Sequence, residues 1–163
     1  MRAYQVFASL SPERAAALFS ALREKAPLTF QQSLAVASGA LKARPVYLAK
    51  QPFQKQAEAA RRALSRVAAN LVAEEVLASY FLECRRELLV EWLDSLGIAH
   101  DKGSLAEERP AEPPADVLRK AVDVFRAKDE DWNRELLLRA FTAQEAIDWP
   151  ELEGLLSPGA AGA

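Results

Sequence analysis

Apolar residues recur along most of the chain at the three- and four-residue spacing of an α-helix. The longest such stretch runs from Phe53 to Gly97, about 45 residues with no internal glycine or proline. Gly97 suits the C′ position, with Ile98 placed for the closing hydrophobic contact. Pro52 suits the start, where a missing N–H costs little. As one helix the stretch would be roughly 65 Å long, so it must bend, break or project.

Phasing at 100° per residue divides it into three parts. Ala60, Leu64, Val67, Ala68 and Leu71 form one apolar stripe, with Lys55, Arg62 and Arg66 opposite. Next comes a belt, residues 72–84, in which Val72, Val76, Leu77, Tyr80 and Phe81 point in nearly every direction. A helix apolar on all sides is covered on all sides. Finally Leu88, Leu89, Trp92, Leu93 and Leu96 resume a single stripe, opposed by Glu83, Glu87, Glu91 and Asp94. The order of charge is backwards for one helix, because the macrodipole favours acid first and base last. Glu83, Glu87 and Glu91 also repel at i, i+4, by roughly 0.2–0.5 kcal/mol per pair.

The other segments predict shorter helices. Arg2 to Leu10 favours a short helix. Ser11-Pro12-Glu13 is a helix start with a serine cap and proline at N1, and the helix it opens ends near Lys25. Thr29 to Gln32 fits a capping box, followed by Phe30, Leu34, Ala37 and Leu41 at core spacing. Arg44 to Pro52 reads as an extended segment packed across neighbouring helices. Ile98 to Pro114 is polar, holds Gly103 and three prolines, and is long for a connection inside a compact domain. It reads as mobile. Helices follow from Pro114 or Ala115, from Asp129, and from the Asp148-Trp149-Pro150 cap. The terminal SPGAAGA predicts disorder.

The expected fold is therefore all-α: a helical bundle organised around one long central helix, with a C-terminal helical segment after a proline-rich linker. The expected domains are a main helical domain at 1–97, a linker at 98–114, C-terminal helices at 115–156 packed on the main domain, and a tail at 157–163.

Charge adds a second layer. The net charge of -2 conceals a division: residues 1–73 carry 11 basic and 3 acidic groups, and residues 74–163 carry 10 basic and 20 acidic. Such asymmetry marks either pairing between the halves or contact with an anionic partner. No apolar run reaches the ~18 residues of a membrane span. The first residues lack an apolar core with a cleavage site, and a single cysteine fits a reducing compartment. A cytoplasmic location without membrane association is the expectation.

Candidate chemistry is sparse. Cys84 is the only thiol and His100 the only imidazole. Cys84 falls in the apolar belt, where a thiol behaves as a small hydrophobe, and His100 reads as a surface residue. Glu75, Glu83, Glu87 and Glu91 form an acidic face that could meet a partner. An oxygen-ligated Mg or Ca site there lacks a loop of ligand spacing, so no metal or other cofactor is expected. Lys50, Lys55, Arg61, Arg62 and Arg66 form a candidate set for phosphates or an acidic partner. Tyr47 and Phe53 lie near enough in sequence to suggest base stacking, but no nucleic-acid signature supports it. Trp92 and Trp132 fall on core stripes, and Trp149 is expected to be partly exposed.

The favoured reading is a non-enzymatic helical interaction or scaffold module. In one form it self-associates: two copies cross antiparallel at the belt Val72, Val76, Leu77, Tyr80 and Phe81, bringing the basic set of each toward the acidic face of the other. In the other form the flanking helices of the same chain cover the belt. A nucleic-acid accessory role through the basic half is the alternative, and small-ligand or metal binding at the glutamate row is the third.

Overall fold

The long apolar stretch does not form one helix. In the computed structural model, which describes residues 1–157, it becomes three helices separated by two irregular turns. Helix α5 spans Phe53–Leu64, α6 Asn70–Ser79 and α7 Arg86–Ser95. Before them lie α1 (Ala3–Ser9), α2 (Pro12–Lys25), α3 (Pro27–Leu41) and α4 (Pro45–Ala49). After them come a two-residue hairpin, β1 (His100–Asp101) with β2 (Ser104–Leu105), and helices α8 (Ala115–Ala127), α9 (Trp132–Thr142) and α10 (Pro150–Leu156). The fold is all-α, with that hairpin as the one sheet among the described residues. The tail expected to be disordered lies, from residue 158 on, outside the described residues.

The chain divides into two compact units, Arg2–Cys84 and a second beginning at Arg85. The division falls inside the stretch that reads as a single element in sequence. The first break follows α5. Ser65 leaves the helix, its hydroxyl bonded to the Arg62 carbonyl at 2.7 Å, and Arg66 is extended (φ -93°, ψ 143°). A 3₁₀ turn at Val67–Ala69 then starts α6. The second break is a π-helical turn at Tyr80–Cys84, followed by Arg85 in a non-helical conformation (φ -133°, ψ 42°).

In the first unit the breaks put the belt to use. Helices α1 and α3 pack on α6, and α2 packs on the π turn. Val76, Leu77, Tyr80 and Phe81 are buried and Val72 half-buried. The side chains considered for a self-association belt thus lie in or at the edge of the core of the first unit, against helices of the same chain. Phe7 and Phe19 stack beside them at 6.1 Å, and Phe19, Phe30 and Phe53 continue the aromatic row.

The breaks also relieve part of the reversed charge order. Arg61 and Arg62 now occupy the last turn of α5, and Glu87 the first turn of α7. Both placements favour the local dipole, each by a few tenths to about 1 kcal/mol. The expected repulsive row is interrupted, because Glu83 and Glu87 are no longer on one helix.

Several local expectations hold. The Ser11 hydroxyl accepts from the Arg14 N–H and Pro12 is at N1. Pro150 opens α10. Gly97 adopts the left-handed conformation (φ 67°), and the Ile98 N–H bonds the Leu93 carbonyl, the Schellman pattern. Others are corrected. Helix α3 begins at Pro27, ahead of the expected Thr29 cap; the Thr29 hydroxyl meets that of Ser79 at 2.8 Å instead. Residues 45–49 form a helical turn rather than an extended segment, because Pro45 is already set for a first turn.

In the second unit, segment 98–114 is anchored at several points. Lys102 (φ 49°) and Gly103 (φ 94°) make the tight turn of the hairpin, a turn that needs positive φ at both positions. Pro110 is buried, and its carbonyl accepts from the Trp149 indole N–H at 2.9 Å. The Glu112 carboxylate accepts from the Leu152 N–H at the start of α10. Trp149 is therefore core, not partly exposed. Trp92 packs on Phe125 at 5.4 Å and Phe141 at 6.2 Å.

A buried cation ties α7 to the start of α9. Arg134, with its side chain 5% exposed, bonds Asp129 through Nε at 2.7 Å and Glu91 through Nη1 at 3.0 Å. Its guanidinium also lies over the Phe125 ring, 4.7 Å from the centroid. Glu91 accepts in addition from Lys128 at 2.9 Å. Nearby, Asp131 caps α9 through the Asn133 N–H and receives Arg85 at 2.6 Å. The carboxylates that Arg134 joins are themselves partly exposed, and Lys128 also holds Glu91, so Arg134→Ala removes charged hydrogen bonds and the contact with Phe125. It should lower the stability of the second unit by about 2 kcal/mol. Trp92, Trp132 and Trp149 all lie there, so urea unfolding followed by tryptophan emission measures it; a loss below about 1 kcal/mol would show the network to be dispensable.

Candidate functional site: the groove between α3 and α5

Helix α5 is strongly two-sided. Gln56, Ala57, Ala60, Ala63 and Leu64 are buried, and the helix packs on α1, α2 and α3. Its start meets that of α3 through Phe30 and Phe53, 6.2 Å apart. The Gln56 side chain donates to the carbonyls of Leu48 and Ala49, both at 3.1 Å. That pair of bonds holds α4 against α5.

Farther along, small residues leave space between the helices. Ala37, Ala40 and Leu41 of α3 face Ala59 and Ala63 of α5 across an open groove of about 440 Å³. Methyl side chains form most of the floor, and Leu41 is 56% exposed. This corrects the placing of Leu41 with the core. It belongs to the last turn of α3, after which Lys42 adopts a left-handed conformation (φ 52°).

The border on the α5 side is charged. Lys55, Arg62 and Arg66 line it, together with Gln54 and Glu58. Glu58 is already neutralised. Arg61 reaches it with Nε and Nη2, both at 2.8 Å, and Arg62 with Nε at 2.7 Å. The Arg61 hydrogen bonds, with those of Arg62, pull the Glu58 carboxyl down to about 2, against burial. Arg61 is in turn held more firmly protonated by Glu58. The groove thus has an alanine floor, one uncharged wall and one wall of net positive charge.

The sequence-derived basic set is divided by this geometry. Lys55, Arg62 and Arg66 come together on the groove. Arg61 is turned to Glu58, with its side chain 17% exposed. Lys50 is exposed at the end of α4 and does not line the groove. The alanine floor was not singled out in the sequence. Its signal was there in small residues at helical spacing, Ala37 and Ala40 on one helix and Ala59 and Ala63 on the other, but alanine at such spacing equally marks close packing.

The acidic face is also divided. Glu75 accepts from the Gln32 amide at 2.8 Å, and Glu83 is exposed; both belong to the first unit. Glu87 pairs with Arg85 at 2.7 Å, and Glu91 is bound by Arg134 and Lys128 within the second unit. The four carboxylates do not form one continuous helix face. Among the described residues no group of three or more His, Cys, Asp or Glu is placed to hold a metal ion.

Burial pushes the half-buried Cys84 thiol up, with Lys25 opposing it, so the thiol form is favoured over the nucleophilic thiolate. His100 is engaged through both ring nitrogens. Nε2 lies 2.7 Å from the Asp94 carboxylate, and Nδ1 accepts the Gly103 N–H at 3.1 Å. This arrangement fixes the hairpin to the end of α7.

The aromatic pair considered for base stacking is separated in role. Phe53 is half-buried against Phe30 and lies 4.2 Å beneath the Arg23 guanidinium, and Tyr47 is exposed on α4. No helix among the described residues is long and apolar enough to cross a membrane. No protein-family model matches the chain, nor does any curated protein or solved structure.

The Glu58 bridge generates a pH dependence. A carboxylate whose pKa is depressed on folding adds stability above its ordinary value of 4.5, and that addition is lost as pH falls toward about 2. Glu58→Gln should therefore cost about 1 kcal/mol at pH 7. The gap from wild type should narrow between pH 5 and pH 2. Urea titrations monitored by far-UV circular dichroism test this, and a gap independent of pH would refute the bridge as its source.

Proposed function

We propose that this protein is a helical interaction module that binds a partner protein through the groove between α3 and α5. The observation that carries the reading is the open alanine floor beside an exposed Leu41, in a unit whose belt is otherwise packed by its own helices. Apolar floors with polar borders are the usual form of protein contact sites. Catalysis has little support. The thiol is held in its unreactive form, and His100 is spent on a structural contact.

A protein partner is favoured over nucleic acid. The groove lining contains no aromatic ring on which a base could stack, and Phe53 is occupied by Phe30 and Arg23. The cations occupy one wall only, whereas a phosphate strand is held best by a groove charged along its length.

Ala59→Gln fills the floor while keeping good helix propensity. In nuclease-treated lysate, wild-type protein should retain partners that Ala59→Gln fails to retain, with both proteins showing the same circular dichroism. Equal retention by the two would overturn the groove as the contact site. Partners lost from wild type on nuclease treatment would overturn the protein-partner reading.

A further inference from the structure

The charge around the α3–α5 groove selects the kind of partner, an inference that rests on the function proposed above. Lys55, Arg62 and Arg66 line one wall, and the single acid lining it, Glu58, is bridged by Arg61 and Arg62. The opposite wall, from α3, contributes no charge. An occupant must therefore be apolar where it meets the floor and acidic along one flank.

We propose that the occupant is an amphipathic helix of a partner protein, with large aliphatic side chains on one face and a line of Asp or Glu beside them. Three features lead there. Both walls are helices whose backbone groups bond internally, so the groove offers no sheet edge for an extended strand to join. A floor of alanines leaves depth that large side chains at i, i+4 and i+7 fill, in the manner of ridges entering grooves. Lys55 and Arg62 lie seven positions apart on α5, roughly 10 Å along its axis, which matches acids two turns apart on a helix laid alongside.

The test uses labelled synthetic helices of about five turns, with leucines at i, i+4, i+7 and i+11 and one flank of glutamate, lysine or glutamine. Fluorescence anisotropy is read with the full chain. The glutamate peptide should bind best, and Lys55→Glu with Arg66→Glu should weaken it roughly tenfold or more. The same double variant should strengthen binding of the lysine peptide, a reversal that misfolding cannot produce.

If the glutamine or lysine peptide binds wild type as tightly as the glutamate peptide, the acidic specificity falls and the groove reading stands. If no helical peptide binds, and Ala59→Gln leaves lysate capture unchanged, both fall. A single-stranded oligonucleotide that competes with the glutamate peptide and is weakened by the same reversals overturns a protein helix as occupant.

Discussion

The belt at residues 72–84 is the constraint on which the rest of the structure depends. A helical stretch apolar on every side has to be surrounded. A straight helix of 45 residues would carry it away from the shorter helices that can do so. The chain meets this by breaking at Ser65–Arg66 and again at Arg85. The resulting α6 and π turn are short enough for α1, α2 and α3 to cover them. Each fully buried large aliphatic side chain, such as Leu77, is worth about 1.5–3 kcal/mol. That exceeds the cost of leaving a few main-chain groups at new helix ends to local turns and water.

Breaking the helix also eases the electrostatics. Base before acid opposes the dipole of one long helix, but suits the end of α5 and the start of α7. Arg61 and Arg62 close α5, and Glu87 opens α7. The charge pattern that looked like a search for an external partner is partly the signature of helix ends. Glu91 shows the same shift in meaning. It reads as part of a solvated row, yet it binds the nearly buried Arg134. The groove wall of Lys55, Arg62 and Arg66 keeps a net positive charge, since Glu58 is the one acid that lines it.

The two units differ in how they are held. The first relies on an aromatic row, Phe7, Phe19, Phe30 and Phe53, and on the packing of α5 against α1, α2 and α3. The second uses polar anchors inside an apolar setting: Arg134 between Glu91 and Asp129, Asp131 as cap and ion-pair partner, and the Trp149 indole on Pro110. Polar anchors of this kind fix segments with little apolar surface of their own, which is why residues 98–114 have a definite path despite their composition.

Local chemistry was legible in the sequence. Helical periodicity, the Ser11 cap with Pro12, the Gly97 terminator and the Pro150 start each depend on a few neighbouring residues, and each holds. Periodicity also showed that the belt must be covered, since that follows from composition around a helix. It could not show by what, because the covering helices are distant in sequence. Nor could it place the breaks. Ser65, Arg66 and Arg85 have adequate helix propensity, and only packing elsewhere outweighs it. The groove was hidden for the same reason. A line of alanines means tight contact if another helix fills it and an open floor if none does, and that choice is made only when α3 and α5 come together.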